Sequence, residues 1–485
     1  MTLHELLHDL EMTVDGRGLR SDADFAVRNP ATGTTFAMAP SLAPERLDHV
    51  FAAAAQAQQR WRRDDAERRV ALTTCAAVLG EAAESLAPLL TAEQGKPLKD
   101  AVNEIRYAAM WLRYFADLET SRTVLRDDER GREEVLRRPL GVVAAITPWN
   151  YPVSLAFWKI APALRAGNTI VVKPSPYTPL TTLALGRLLR GILPDGVLNV
   201  VSGVEPLGAA MVAHPVPRKV SFTGSTATGK QVALAAATDL KRVTLELGGN
   251  DPAIVLDDVD VATVAPRIFW GAFRNNGQVC FAAKRVYAHE RVHDELVEAL
   301  SEIARGVRVG DGAAQGVQLG PVNNEAQLRH VEDLVADARD RRARIVAGGT
   351  RPATEGYFWA PTVIDRIDDD ARVVREEQFG PVLPVLRFGD EREAVDRAND
   401  SPFGLTASVW SADSERASQL APELECGQVS INSHGMGVQP HLPFGGRKWS
   451  GIGVENGPWG LDAFCELQTV VGPGNRTATA SEGSR

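Results

Sequence analysis

Between residues 141 and 247 the sequence alternates short, almost wholly apolar runs with stretches of helical spacing, and that alternation leaves few folds open. The runs are Gly141–Ile146, Thr169–Lys173, Leu198–Ser202, Val220–Thr223 and Val243–Leu247, with helix-like segments near 155–165, 178–191, 205–212 and 227–237. A strand that is apolar on both faces must be covered on both faces. The pattern therefore predicts an α/β unit, a parallel sheet between two helical layers. Ligands of such sheets bind at the carboxyl ends of the strands. The unusual residues of this chain fall there.

The first run leads into Thr147-Pro148-Trp149-Asn150-Tyr151-Pro152. Two prolines stiffen this turn, and the Asn150 amide either caps backbone or stands ready as an oxyanion donor. The fourth run leads into Phe222-Thr223-Gly224-Ser225-Thr226-Ala227-Thr228-Gly229-Lys230, nearly a P-loop, but Gln231 stands where a Mg²⁺-binding hydroxyl is needed. A strand–Gly–helix start still binds phosphate through free backbone N–H groups, so a dinucleotide would fit without metal. Glu246 ends the fifth run, before Leu247-Gly248-Gly249. It reads either as a helix-cap partner or as a general base whose pKa is raised by burial.

A second α/β segment spans about 250–435, with runs at Arg285–His289, Ile345–Ala347, Val382–Arg387, Thr406–Trp410 and Gln428–Asn432. It carries Cys280 just after the turn signal Asn275-Asn276-Gly277. A cysteine there is either a small apolar filler or a nucleophile. Cys75, Cys426 and Cys465 read as packing residues. The four cysteines form no CxxC and fit neither a disulfide frame nor a zinc knot, as expected of a reduced, cytoplasmic chain. His289-Glu290-Arg291-Val292-His293 matches HExxH but begins on a strand, so its imidazoles should diverge and no metal is expected.

Residues 45–120 read as helices broken at Gly95-Lys96-Pro97, and 121–138 as a polar projecting arm or a surface loop. Residues 439–460 are rich in Gly and Pro, Ala463–Val471 could form a last strand, and the small polar tail that follows should be disordered. At 485 residues two or three domains are expected. A net charge of −9 disfavours nucleic acid and anionic membranes as partners. The first residues show no signal-peptide pattern, and the apolar region 139–172 is interrupted by Pro148, Asn150, Pro152, Lys159 and Arg165, which argues against a membrane span.

Taken in order, Asn150, Phe222–Gly229, Glu246–Gly249, Gly277–Cys280, Glu376-Glu377-Gln378-Phe379-Gly380-Pro381 and Pro443–Gly451 resemble the aldehyde dehydrogenase superfamily over about residues 25–470. The resemblance implies a Rossmann-like cofactor domain (1–120 and 140–249), an α/β catalytic domain (250–438) and a small β bridging arm (121–139 and 463–473). Residues 439–462 would return to the cofactor domain, and 474–485 would be the disordered tail. It implies that Cys280 is the nucleophile, Asn150 the oxyanion donor together with the Cys280 N–H, and Glu246 the base that activates water. It assigns NAD or NADP to a site of Ile146, Thr147, Trp149, Lys173, Ser175, Gly224, Ser225, Glu377 and Phe379. Many NAD-preferring members carry Glu where Pro176 stands. Its absence here leaves NADP admissible, with NAD favoured slightly.

The implied substrate is a small-molecule aldehyde in a tunnel lined by Tyr151, Ser154, Trp158, Phe273, Phe281 and Val438, mostly apolar and aromatic, which suits a medium aliphatic or aromatic aldehyde. Arg274 departs from the apolar residue usual at its position and either pairs with a substrate carboxylate or points to solvent. The arm implies a homodimer or homotetramer formed by β-augmentation. Two other functions stay open at this stage: a cofactor-independent thiol esterase, and a non-catalytic nucleotide-binding protein on the same fold.

Overall fold

The structure, a computed structural model, describes Leu7 and residues 10–21, 23–119, 122–435 and 438–473. The five apolar runs become parallel strands Val142–Ile146, Thr169–Lys173, Leu198–Val200, Lys219–Thr223 and Arg242–Glu246. In space they stand third, second, first, fourth, fifth, at the centre of an eight-stranded sheet. The order reverses between Val142–Ile146 and Lys219–Thr223, so a crevice opens beyond their carboxyl ends. Thr147 to Asn150 and Gly224-Ser225 begin at its two lips.

Two-sided burial follows from composition. All residues of Thr169–Lys173 and Lys219–Thr223 are buried, and so is every residue of the covering helix Pro152–Arg165. That helix is apolar nearly all round. Its two charged side chains survive burial by pairing, Lys159 with Glu455 and Arg165 with Asp65. At one edge Met12–Val14 adds antiparallel to Leu198–Val200, and at the other Gly451–Ile452 adds antiparallel to Arg242–Glu246. The thirty-residue helix Asp65–Gln94 is long and apolar enough to cross a bilayer, but Leu72, Leu79, Leu86, Leu89 and Leu90 are buried in the core beside helix Leu98–Asp117.

The second sheet has seven strands in the order Arg344–Ala347, Thr362–Asp365, Val382–Phe388, Ala283–His289, Asp251–Val255, Thr406–Trp410 and Gln428–Ile431. All neighbours run parallel except the edge strand Arg344–Ala347. The sequence reading omitted two of these strands. Asp251–Val255 is central, but it opens on Asp-Pro directly after a glycine pair, so its turn signals hid it. Thr362–Asp365 has only four residues. Helices Val261–Phe273 and Glu290–Gly306 cover one face, and Glu325–Asp340 covers the other.

The described residues of the stretch expected as an arm or a surface loop form strands. Thr123–Asp128 and Gly131–Pro139 form a hairpin, and Cys465–Gly472 lies antiparallel along its second strand, from Cys465 opposite Pro139 to Gly472 opposite Arg132. The expected disordered stretch 474–485 lies outside the described residues. At the HExxH match, His289 ends its strand and caps helix Glu290–Gly306, its Nδ1 accepting from Arg291 N at 3.2 Å. His293 is buried against Asp365 at 3.3 Å.

Candidate active site

The chain between helix Val261–Phe273 and strand Ala283–His289 turns through three successive left-handed residues, Asn275 (φ 49°), Asn276 (φ 60°) and Gly277 (φ 72°). Asparagine tolerates this region, and Gly277 is needed there twice over. Its φ is positive, and a Cβ would stand 2.2 Å from the Gly380 carbonyl oxygen. The loop is held from within by Lys284, whose Nζ donates to Gly277 O at 3.2 Å and to Val279 O at 2.5 Å. Gln278 accepts from Asn323 N at 2.8 Å and donates to Asn275 O at 2.9 Å. Cys280 follows, 8 % exposed.

Asn150 reaches this loop from the first sheet, across 128 residues of sequence. Its Nδ2 donates to Gln278 O at 2.9 Å, and its carbonyl accepts from Asn275 Nδ2 at 3.1 Å. The same carbonyl accepts from Lys96 Nζ at 3.0 Å. Lys96 is fully buried in an ion pair with Glu104 and lies over the Tyr151 ring. The second oxygen of Glu104 takes the free N–H groups of Val153 (2.9 Å) and Ser154 (3.1 Å), which open helix Pro152–Arg165. One buried salt bridge thus fixes both the turn and the helix behind Asn150.

Glu246 ends its strand 1 % exposed, and among the described residues neither carboxyl oxygen has a hydrogen-bond partner. Buried polar atoms are nearly always paired, so the fold's own hydrogen bonds leave this carboxyl open to a molecule that enters the site. Beside it Lys159 donates to Glu455 at 2.6 Å and to Thr223 Oγ1 at 2.7 Å. Sequence reading missed Lys96, Glu104, Lys159, Lys284 and Glu455. Burial of a lone lysine or glutamate leaves no periodic signal, although the turn containing Lys96 was visible.

The crevice offers what a dinucleotide needs. Helix Thr226–Ala237 begins there with its first N–H groups free, capped by Ser225 Oγ accepting from Thr228 N at 3.3 Å. Gly248 leaves room that a Cβ would close, since it would stand 2.1 Å from Glu377 Oε2. Glu377 itself accepts from Gly249 N at 3.1 Å. Phe379, at φ 44°, meets Trp149 edge to face at 5.2 Å. The Thr147 N–H donates to Lys173 O at 3.1 Å, and among the described residues the buried Thr147 Oγ1 has no partner. Ile146 is half-buried at the crevice lip, while Lys173 and Ser175 are buried at the end of the neighbouring strand. These residues fit the group.

Of the expected tunnel residues, Tyr151, Trp158, Phe281 and Val438 pack in the same cluster as Cys280. Two further aromatics join them. Phe444 meets Trp158 at 5.4 Å and Phe281 at 5.8 Å edge on, and Trp111 stacks on Trp158 at 5.3 Å. The Ser154 hydroxyl is used in a bond to Glu104 O at 3.2 Å. Phe273 is not brought into this group; it is 1 % exposed and stacks on Phe269 in the core of the second sheet. Its place at the end of an amphipathic helix turns it inward, a rotation that motif position alone does not reveal.

The sequence profile of the aldehyde dehydrogenase family matches residues 19–470. The chain is 39% identical over 466 residues to the 3-sulfolactaldehyde dehydrogenase of Pseudomonas putida, covering 94% of this chain and 96% of that one. It is 39% identical to the NADP(+) succinate-semialdehyde dehydrogenase GabD of Escherichia coli (strain K12), over 91% of this chain and 93% of that one. Its structure is similar to the NAD+ complex of an aldehyde dehydrogenase from Bacillus cereus, with TM-score 0.94, 35% identity and coverage of 97% and 98%. The chain belongs to the aldehyde dehydrogenase family.

In this aldehyde dehydrogenase the resting site is short of positive charge. Burial pushes the Cys280 thiol well above its usual range, and the negative charges of Glu246, Glu377 and Asp251 push the same way; Lys284 opposes them. Burial likewise raises Glu246 well above the usual carboxylate range, with Glu455 adding to the shift and Lys159 opposing it. Burial also brings Glu377 up to about 7. The thiol and the carboxyl each disfavour ionisation of the other. Iodoacetamide should therefore alkylate Cys280 slowly at pH 7 and faster as pH rises past the ordinary thiol range. In E246Q the alkylation profile should move to lower pH, because a nearby negative charge is gone; an unmoved profile would separate the two groups.

Proposed function

We propose that the protein oxidises an aldehyde to the carboxylic acid with NAD or NADP, through covalent chemistry at Cys280. The observation that carries this reading is the convergence of a loop-presented thiol, an amide clamped to that loop and an unpartnered buried carboxyl. The Cys280 sulfur attacks the carbonyl carbon as thiolate, forming a C–S bond and an alkoxide. An amide NH₂ has two hydrogens. Gln278 O holds one of those on Asn150, which leaves the second, with the Cys280 backbone N–H, to stabilise the alkoxide.

Ile146, Thr147, Trp149, Lys173, Ser175, Gly224, Ser225, Glu377 and Phe379 would hold the dinucleotide in the crevice, where it would supply the acceptor for the hydride lost by the substrate carbon. What remains on Cys280 is a thioester. Glu246 takes a proton from water, the hydroxide oxygen bonds to the acyl carbon, and the C–S bond breaks to release acid and thiolate. A carboxylate with a raised pKa is a stronger base once ionised, which suits it to water. Replacing Cys280 with Ser should abolish aldehyde oxidation while cofactor binding stays nearly intact. E246Q should release about one equivalent of NADH in a burst at 340 nm, then turn over 10²-fold or more slowly. Full steady-state turnover by E246Q would place the base elsewhere.

For the substrate we propose an aldehyde with an apolar body and an acidic group. The wall of Tyr151, Trp158, Phe281 and Phe444 supports the first part. Arg274 supports the second: it is exposed, its charge acts on Tyr151 and Asp100, and among the described residues no ion pair to it is formed. The relatives named for 3-sulfolactaldehyde and succinate semialdehyde are named for aldehydes that carry an acidic group. R274L should raise KM for anionic aldehydes about tenfold and leave neutral ones little changed; equal effects on both would remove the acidic group from the proposal.

A homo-oligomer joined through the arm is supported by strand Cys465–Gly472, an edge strand with Leu467 and Val471 each 69% exposed. Placing Asp at both Leu467 and Val471 should yield folded monomers in sedimentation analysis. A wild-type protein that already sediments as a monomer would overturn the assignment.

A further inference from the structure

The turn between helices Asp65–Gln94 and Leu98–Asp117 is remote from Cys280 in sequence, yet its buried lysine reaches the oxyanion donor. Gly95 permits the turn: its φ is 100°, and a Cβ there would stand 2.7 Å from the Pro321 ring. Lys96 follows it, and a buried ammonium has three hydrogens to place. Glu104 accepts one and the Asn150 carbonyl another at 3.0 Å, while the nitrogen lies 3.7 Å over the Tyr151 ring. These contacts close a ring through four parts of the chain. Asn150 Nδ2 donates to Gln278 O at 2.9 Å, and Gln278 Oε1 accepts from Asn323 N at 2.8 Å. Asn323 Nδ2 donates in turn to the carbonyls of Glu93 at 3.1 Å and Gln94 at 3.2 Å, the last residues before the turn. From there Lys96 returns to Asn150. The chain leaving Asn150 is also held further on, since Glu104 accepts from Val153 N and Ser154 N.

We propose that Lys96, with Glu104 as its counterion, is a positioning residue for aldehyde oxidation, aligning the free Asn150 amide N–H with the alkoxide. The inference rests on the aldehyde-oxidation reading and deepens it. A buried ion pair is by itself a poor source of stability, so its value here is directional. The ammonium grips the Asn150 carbonyl and the carboxylate grips the N–H groups of Val153 and Ser154, so opposite charges hold the two ends of one short segment. With its hydrogens taken up in this way, Lys96 acts through the Asn150 backbone. An oxyanion donor contributes about 10²–10³ in rate when it is already aligned. A displacement of about 1 Å forfeits much of that.

The test is a mutant cycle on the full chain, read as the first turnover of reduced dinucleotide at 340 nm. Removing Lys96 alone would strand the Glu104 charge, so both are replaced, as K96M/E104Q; an amide can still accept from Val153 N and Ser154 N. K96M/E104Q should slow the first turnover about tenfold, with the half-saturating aldehyde concentration and dinucleotide affinity each changed less than about threefold. N150A should slow it about 10²-fold. Added to N150A, K96M/E104Q should cost less than about a further twofold, because the pair acts through Asn150. E104Q alone, which loosens Lys96 without removing it, should show a smaller loss that also vanishes on N150A, and it carries the test if the double variant does not fold. A loss that multiplies in full on N150A would make the pair purely structural and overturn the proposal. An undiminished first turnover in the folded variant would overturn it too, and either result leaves aldehyde oxidation standing. Wild-type speed in N150A would remove the oxyanion role of Asn150 and this inference with it.

Discussion

The contact on which the site depends is a single amide hydrogen bond, from Asn150 Nδ2 to the Gln278 carbonyl. It ties the carboxyl end of the first sheet to the loop that carries Cys280, in a place from which water is excluded. A hydrogen bond to a backbone carbonyl contributes only about 1 kcal/mol of net stability, so its weight is geometric. Asn275 returns a bond to the Asn150 carbonyl, and Lys96 supplies a third. With the Asn150 backbone held at its carbonyl and one side-chain N–H held by Gln278 O, the remaining N–H has one direction in which to point. Preorganisation of that kind is what makes a donor effective against charge that appears only during reaction.

Rigidity on the other side of the sulfur comes from backbone conformation. Three consecutive left-handed residues are costly unless their surroundings fix them. Here the surroundings do, through Lys284 inside the loop and the Gly380 carbonyl against Gly277. Lys284 has a second effect, since its positive charge draws the thiol toward ionisation. Loop architecture and thiol chemistry are therefore served by the same side chain.

Much of this could be read in the sequence, for identifiable reasons. The parallel sheet was legible because two-sided burial writes continuous apolar runs, and Asn150, Glu246 and Cys280 were legible because each follows such a run or a turn signal. Asp251–Val255 was not, because Asp and Pro at its start look like the end of a turn. The buried pairs Lys96–Glu104 and Lys159–Glu455 were also hidden, because their partners are 8 and 296 residues apart and only folding brings them together. Phe444 stood inside a quoted motif, yet only the packing against Trp158 and Phe281 shows its place. Phe273 shows the converse: a motif neighbour whose ring points into another core.

The electrostatic design has a consequence for stability. Glu246, Asp251, Glu377 and Glu93 are all held above their ordinary carboxylate values by burial, the last three up to about 7. A carboxyl whose pKa is higher in the folded chain favours folding while it is protonated, and that contribution is lost as pH rises from the unfolded value through the folded one. Between about pH 4.5 and 7 the fold therefore gives up stability at these positions, three of which act on Cys280. Paired surface carboxylates such as Glu376 and Asp257 are shifted the other way, below their ordinary values of 4.5 and 3.8, so their contribution is gained at lower pH and is already in place across that window. The apolar cores around the two sheets must carry the deficit. A cationic ring entering the crevice would relieve that strain and draw protons from Glu246 and Cys280 together, so cofactor binding and thiol activation are linked by the same charge balance.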